Sequence, residues 1–234
     1  MGDQRRPLRP GEPAPAFTLP AANREGTVSL DRLHGRPFLI GFYRGLHCPF
    51  CRRQVLQLAN VEAPLRVMGV ETLAVINTQV DRASLYFRYR PTPVTLLCDP
   101  DCVTHQAFGV PHLEFLPEGD SSQPEWPYRA SMAEFAAARI NPTGELSGPT
   151  QPMEANDALN GKDGFEMDDV DSAIFASHGT QLVGHFLVDA AGIVRWAQIE
   201  AADGPNSISV FPSAAQIIAA AAGTGGIRVE RAPG

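Results

Sequence analysis

One stretch limits what this chain can become more than any other: a short apolar run that ends in two cysteines at the head of an amphipathic segment. Phe38-Leu39-Ile40-Gly41-Phe42-Tyr43 is long enough for one buried strand and too short for an ordinary helix. Arg44-Gly45-Leu46-His47 follows, then Cys48-Pro49-Phe50-Cys51. Beyond the cysteines, Val55, Leu58, Val61, Leu65 and Met68 recur at steps of three and four, the spacing of a helix with one buried face. The two thiols therefore sit where a strand ends and a helix begins. There the unpaired N–H groups and the helix dipole favour a thiolate.

The order of apolar runs around this unit sets the fold. Thr72 to Ile76 and Val94 to Cys98 read as two more buried strands. A helix with Asp81 as its cap runs to Arg88, and a short one spans Val103 to Phe108 with Gly109 closing it. Leu182 to Val188 and Ile193 to Ala197 form a hairpin about Asp189-Ala190-Ala191-Gly192. Ser213 caps a last helix through Ala222. Near the start, Ala16 to Leu19 and Val28 to Leu30 are short extended pieces, with Asp31 expected to cap one helical turn. Pro64 is expected to kink or split the long helix. Strands alternating with helices imply parallel neighbours. The expected fold class is α/β, a thioredoxin-like arrangement with a central mixed sheet flanked by helices.

Residues 1–234 are read as a single domain with two appendages: a proline-rich arm over 1–15 and an insert over 112–178, before the last hairpin. Between Leu113 and Asp171 stand 13 acidic residues and 3 basic ones, in a chain whose net charge is −7. This segment is rich in Pro, Gly, Ser and Asn and reads mostly as loop, with one helix expected from Ser131 to Arg139. Trp126 and Tyr128 look like packing anchors within it. The redox stretch is locally basic, with Arg44, Arg52 and Arg53. No basic face interleaved with aromatics is present, which argues against nucleic acid. No apolar run approaches the roughly 20 residues that span a bilayer. Prolines follow Arg5-Arg6 where an export signal needs an apolar segment, so a cytoplasmic location is expected. In a reducing compartment four cysteines point to catalysis, redox change or metal rather than to a static framework.

The chain resembles the peroxiredoxin-like (AhpC/TSA) branch of the thioredoxin superfamily. The residues that carry the likeness are Gly11-Glu12-Pro13-Ala14-Pro15-Ala16-Phe17-Thr18-Leu19, Phe42 to Cys51, Asp99-Pro100 with Phe108-Gly109-Val110, and His185 to Val194. The family pattern is Pro-x-x-x-Thr/Ser-x-x-Cys, in which the hydroxyl orients peroxide; here Gly41 and Gly45 fill those two places. Val183 and Gly184 stand where the family's distant arginine is expected, and Arg44 is the candidate replacement. The proline that faces the cysteine pair in thioredoxin-type reductases is absent, since no proline occurs between Pro152 and Pro205.

Cys48, nearest the strand end, is the expected attacking thiol, and Cys51, one helical turn on, the resolving one. Arg44 and His47 are the remaining candidate catalytic residues, His47 as a modulator of the thiol's ionisation. Cys98 and Cys102 are candidate secondary redox thiols, weighed against plain core packing. A zinc site from Cys48, Cys51, Cys98, Cys102 and His105 is the competing reading. His185 on the hairpin lies within reach of the site if its face is the inner one, while His34, His112 and His178 read as surface residues. No cofactor or metal is implied. Three activities fit: peroxidase, with Cys48 reducing a hydroperoxide; thiol–disulfide oxidoreductase using the same pair; and a non-enzymatic redox sensor whose acidic segment binds a partner. The first two call for a thioredoxin- or glutaredoxin-like reductant and a peroxide or disulfide substrate, and a homodimer is compatible with either.

Overall fold

In the computed structural model, which describes residues 6–117 and 129–223, the elements run β1 (Thr18–Pro20), β2 (Thr27–Ser29), α1 (Leu30–Leu33), β3 (Phe38–Tyr43), α2 (Pro49–Val67), β4 (Glu71–Ile76), α3 (Val80–Arg88), β5 (Thr95–Cys98) and α4 (Val103–Ala107). Then come β6 (Glu114–Leu116), β7 (Arg129–Ser131), α5 (Met132–Ala137), α6 (Pro152–Asp163), α7 (Asp169–His178), β8 (Gly184–Val188), β9 (Val194–Ile199) and α8 (Ala214–Gly223). Trp126 and Tyr128 lie outside the described residues.

The main sheet has the order β5-β4-β3-β8-β9. β3, β4 and β5 are parallel, and β8 returns antiparallel on the other side of β3, paired in turn with β9. This is the mixed sheet the sequence led us to expect, with β3 at its centre. Every residue of β3 is buried, because a central strand is covered on both faces. Its side chains alternate accordingly. Phe38, Ile40 and Phe42 pack with Phe17, Phe108 and Phe186 on one face. Leu39 and Tyr43 pack with Leu58, Leu65, Leu187 and Ile217 on the other, under α2 and α8. Each large apolar side chain so buried contributes roughly 1.5–3 kcal/mol.

From Gly11 to Ala14 the chain is bonded to the edge of the sheet. Gly11 N–H donates to the Val194 carbonyl, Val194 N–H to Glu12, and Ala14 N–H to Gly192, along the outer side of β9. The chain then crosses beneath the sheet through Phe17 and Leu19 and reaches β5, where Ala21 pairs with Leu97 and Ala22 N–H donates to Leu96.

Several local expectations change. Ser29, not Asp31, caps α1, accepting from Arg32 N–H. α3 begins one residue before Asp81, with Gln79 at the cap position and no side-chain cap, so Asp81 sits in the first turn. Pro64 does not end α2, which continues to Val67. The largest correction concerns 112–178, expected as mostly loop. It holds α6 and α7 in addition to α5, whose start at Met132 after Ser131 matches the expected helix. α6 starts with Pro152 in its first turn, where no intrahelical N–H is needed. α7 is opened by a capping box between Asp168 and Asp171.

Candidate functional site

Cys48 is the N-cap residue of α2, and its sulfur accepts a hydrogen bond from Cys51 N–H at 3.2 Å. Pro49 and Phe50 open the first turn; Pro49 has no N–H to satisfy, and Cys51 N–H is the backbone donor that reaches the sulfur. Cys48 is 2% exposed. Burial pushes its thiol up. The hydrogen bond with the Cys51 side chain, the Arg44 guanidinium and the Cys51 N–H together outweigh burial and bring it from 9.0 down to about 6. Cys51, also buried, is pushed well above an ordinary thiol by burial and by the neighbouring Cys48 sulfur. At neutral pH the pair is thus one thiolate and one thiol.

Arg44 supplies the positive charge. Its Nε donates to Cys48 Sγ at 3.4 Å. Its two terminal nitrogens grip both oxygens of Glu200, at 2.9 and 3.0 Å. Arg44 also donates to Ser209 Oγ and to the Gln181 carbonyl, each at 3.3 Å. Glu200 is fully buried and takes two further backbone donors, Val183 N–H at 2.8 Å and Ser209 N–H at 2.5 Å. Ala201 and Ser209 both adopt left-handed backbone (φ 60° and 62°), a conformation that costs free energy away from glycine and clusters at functional sites. Glu200 and Ser209 carried no sequence signal: nothing in their local pattern distinguishes a buried partner from a surface residue.

Cys48 opens on a cavity of about 330 Å³. Its wall is mainly apolar, with Phe50, Leu113, Phe135, Phe175, Leu182 and Ile208, and its polar groups are few, among them Arg44, His47, Asn156 and Ser209. Cys51 lies on the inward side, against a small gap shared with Tyr43, Val55 and Phe87. Cys48 alone of the pair meets the cavity. Residues 112–178 supply much of the wall, from α5, α6 and α7.

His47 is 3% exposed, lines the cavity and lies edge-on to Phe175 at 5.1 Å between ring centres. Burial and the charges of Arg44 and Arg52 hold it down at about 3. It is neutral at physiological pH and lends no positive charge to Cys48. Arg52 and Arg53 are committed elsewhere. Arg52 donates to the Leu46 carbonyl, Asn160 and Asp163 and stacks on Phe165, while Arg53 pairs with Glu145 and Asp163. They tie α6 to the first turn of α2.

Cys98 ends β5 and Cys102 precedes α4; both are buried and unpaired. Burial pushes Cys98 up to about 12 and raises Cys102 as well, so both are protonated at neutral pH. Nearby, Asp99 accepts from the N–H groups of Val103, Thr104 and His105 and from His105 Nδ1. Among the described residues no group of three or more His, Cys, Asp or Glu side chains is placed to hold a metal. His185 is buried on the α2/α8 face of the sheet, the face of Tyr43 and Leu187, and is hydrogen-bonded to Tyr43 Oη at 2.8 Å and to Gln198 at 3.2 Å. His34 is exposed as expected, whereas His112 and His178 are half-buried with rings 6.0 Å apart.

The AhpC/TSA family pattern matches residues 10–197. The chain belongs to the AhpC/TSA family. Peroxiredoxin Bcp of Escherichia coli K12 is 31% identical over 104 residues, which is 44% of this chain and 66% of that protein. The bcp protein of Haemophilus influenzae is 34% identical over the same length and shares. The alignments with these relatives thus span just under two thirds of their length. Among solved structures, peroxidoxin BcpB of Mycobacterium tuberculosis superposes with a TM-score of 0.53 at 14% identity, covering 96% of this chain and 99% of that one. This AhpC/TSA chain therefore has the thioredoxin-like fold of its relatives. No helix among its described residues is long and apolar enough to cross a membrane.

Proposed function

We propose that the protein is a thiol peroxidase in which Cys48 is the attacking sulfur and Cys51 the resolving one. The observation that carries this reading is the asymmetry of the pair: a thiolate at Cys48, stabilised by Arg44 and the α2 N-terminus, faces the cavity while a protonated Cys51 lies behind it. Cys48 thiolate attacks the terminal oxygen of a hydroperoxide. The S–O bond forms as the O–O bond breaks, sulfur becomes a sulfenic acid, and the alkoxide leaves with a proton from water. The Cys51 sulfur then attacks the sulfenic sulfur as its proton passes to the departing hydroxide, so the Cys48–Cys51 disulfide forms and water leaves. A thioredoxin-like dithiol returns both cysteines to the thiol state. The burial of both sulfurs favours a small peroxide over a folded protein's disulfide as oxidant, and the apolar wall favours an organic hydroperoxide.

Rapid mixing of the reduced protein with hydrogen peroxide and with cumene hydroperoxide, quenched and read by mass spectrometry, tests the reading. We expect a Cys48–Cys51 disulfide to form far faster than free cysteine oxidises. Cys51→Ser should complete one turnover and stop at the Cys48 sulfenic acid. Oxidation no faster than that of free cysteine would end the peroxidase assignment.

A further inference from the structure

Position 45, three residues before the attacking sulfur, has no room for a side chain. A Cβ there would lie 2.9 Å from the Asn77 carbonyl oxygen, 2.9 Å from His47 Nδ1 and 3.0 Å from Ile174 Cγ2. The imidazole of His47 fills that space. The ring is 3% exposed, it borders the cavity that Cys48 faces, and neither of its nitrogens has a hydrogen-bond partner among the described residues. Buried polar atoms are almost always paired in folded chains, so two orphaned nitrogens on one ring call for an explanation.

The ring is also held in place. Phe175 packs edge-on against it, and Asn160 of α6 donates to the His47 carbonyl at 3.0 Å. An imidazole held in this way on the wall of the cavity that Cys48 faces, with both nitrogens unpartnered among the described residues, is preorganised for a polar ligand that enters there.

We propose that His47 positions the hydroperoxide for attack, its N–H donating to a peroxide oxygen while the thiolate of Cys48 approaches the terminal one. This rests on the peroxidase reading above. A neutral imidazole has one N–H and one lone pair, so like a hydroxyl it can donate and accept at once. The charge on the ring does not change in the step. His47 polarises the leaving oxygen by hydrogen bonding, sulfur is oxidised to the sulfenic acid, the peroxide is reduced to the alcohol, and water supplies the alkoxide's proton. The low ionisation of the ring, about 3, keeps it neutral and fit for this role across the physiological range.

The test compares two electrophiles on the reduced protein, a hydroperoxide and iodoacetamide, because only the first has oxygens for an imidazole to hold. Wild-type, His47→Leu and His47→Gln proteins are mixed with each, and modification of Cys48 is followed by quenched mass spectrometry. His47→Leu should slow oxidation on the order of a hundredfold, the usual loss for one preorganised donor. Alkylation should stay within about twofold, since His47 lends Cys48 no charge. His47→Gln, which keeps a donor, should recover part of the lost oxidation rate. Equal slowing of both reactions, or unchanged oxidation in His47→Leu, would overturn the inference. A wild-type protein that oxidises no faster than free cysteine would instead remove the peroxidase reading on which it rests.

Discussion

The guanidinium of Arg44 spans two buried anions: its terminal nitrogens lie 2.9 and 3.0 Å from the carboxylate of Glu200 while its Nε sits 3.4 Å from Cys48 Sγ. Glu200 fixes the guanidinium plane, and that plane aims Nε at the sulfur. Glu200→Ala would leave a nearly buried arginine without its carboxylate and two backbone N–H groups without an acceptor. A loss of about 3–5 kcal/mol in unfolding free energy is expected, measured by urea titration.

Arg44→Met removes the charge beside the thiolate and keeps much of the side chain's length. The Cys48 thiol should rise by about 1 to 3 pH units, read by thiolate absorbance across a pH titration. In the wild-type protein the oxidation rate should fall about tenfold per pH unit below about 6, as the thiolate is protonated. In Arg44→Met the same fall should begin at higher pH. An unshifted profile would detach Arg44 from the reactivity of Cys48.

The same thiolate couples folding to pH. Its ionisation lies at about 6 in the folded protein against 9.0 for an ordinary thiol. A group depressed in this way stabilises the fold fully above the higher value and loses its contribution as the pH drops to the lower one. The stability difference between reduced wild type and Cys48→Ser should therefore grow in favour of wild type as the pH rises from about 6 toward 9. Denaturant midpoints at four or five pH values would reveal it. A constant difference would contradict the ionised state.

Met153 lines the cavity from α6 yet is 41% exposed, so the fold tolerates a larger side chain there. Met153→Trp should narrow the entrance. Oxidation by cumene hydroperoxide should slow about tenfold, whereas hydrogen peroxide should react within about twofold of wild type. Equal effects on both oxidants would mean that the apolar wall does not select the substrate.

Asp163 accepts from Arg52 and Arg53 together. Asp163→Ala would strip the nearly buried Arg52 of its carboxylate and loosen α6 from α2. Stability should fall by about 1–3 kcal/mol, with faster hydrogen exchange in α6 than in β3 or β4.

β3, the thiol turn and α2 were readable because their apolar spacing is local and strong: Phe38 to Tyr43 is buried on both faces, and Val55, Leu58, Val61 and Leu65 share one. The region from 112 to 178 was not, and α6 illustrates the reason. Only Pro152, Ala155 and Leu159 of its twelve residues are buried, too few for a clear period. Part of what holds it is ion pairing from Arg52 and Arg53, about a hundred residues away in the chain. Its neighbour α7 is opened by reciprocal capping between Asp168 and Asp171, and both pair with Arg82, more than eighty residues earlier in the chain, so no local pattern marks them as structural. At the site, Cys48, Cys51 and Arg44 stood out by motif and proximity. Glu200 did not, since its partner lies 156 residues earlier. His47 was visible as a residue, but its neutrality came from burial and from two arginines, neither of which adjacency to Cys48 discloses.

The segment from Gly11 to Ala22 binds the backbone of β9 at one end and of β5 at the other. Those are the two outermost strands, whose free N–H and C=O groups would otherwise recruit the strands of neighbouring molecules. These twelve residues, β1 among them, thus act as a hem at one end of each border of the sheet. Because the same segment lays Phe17 and Leu19 over one face of β3, it joins the guarding of the sheet's borders to the packing of its core.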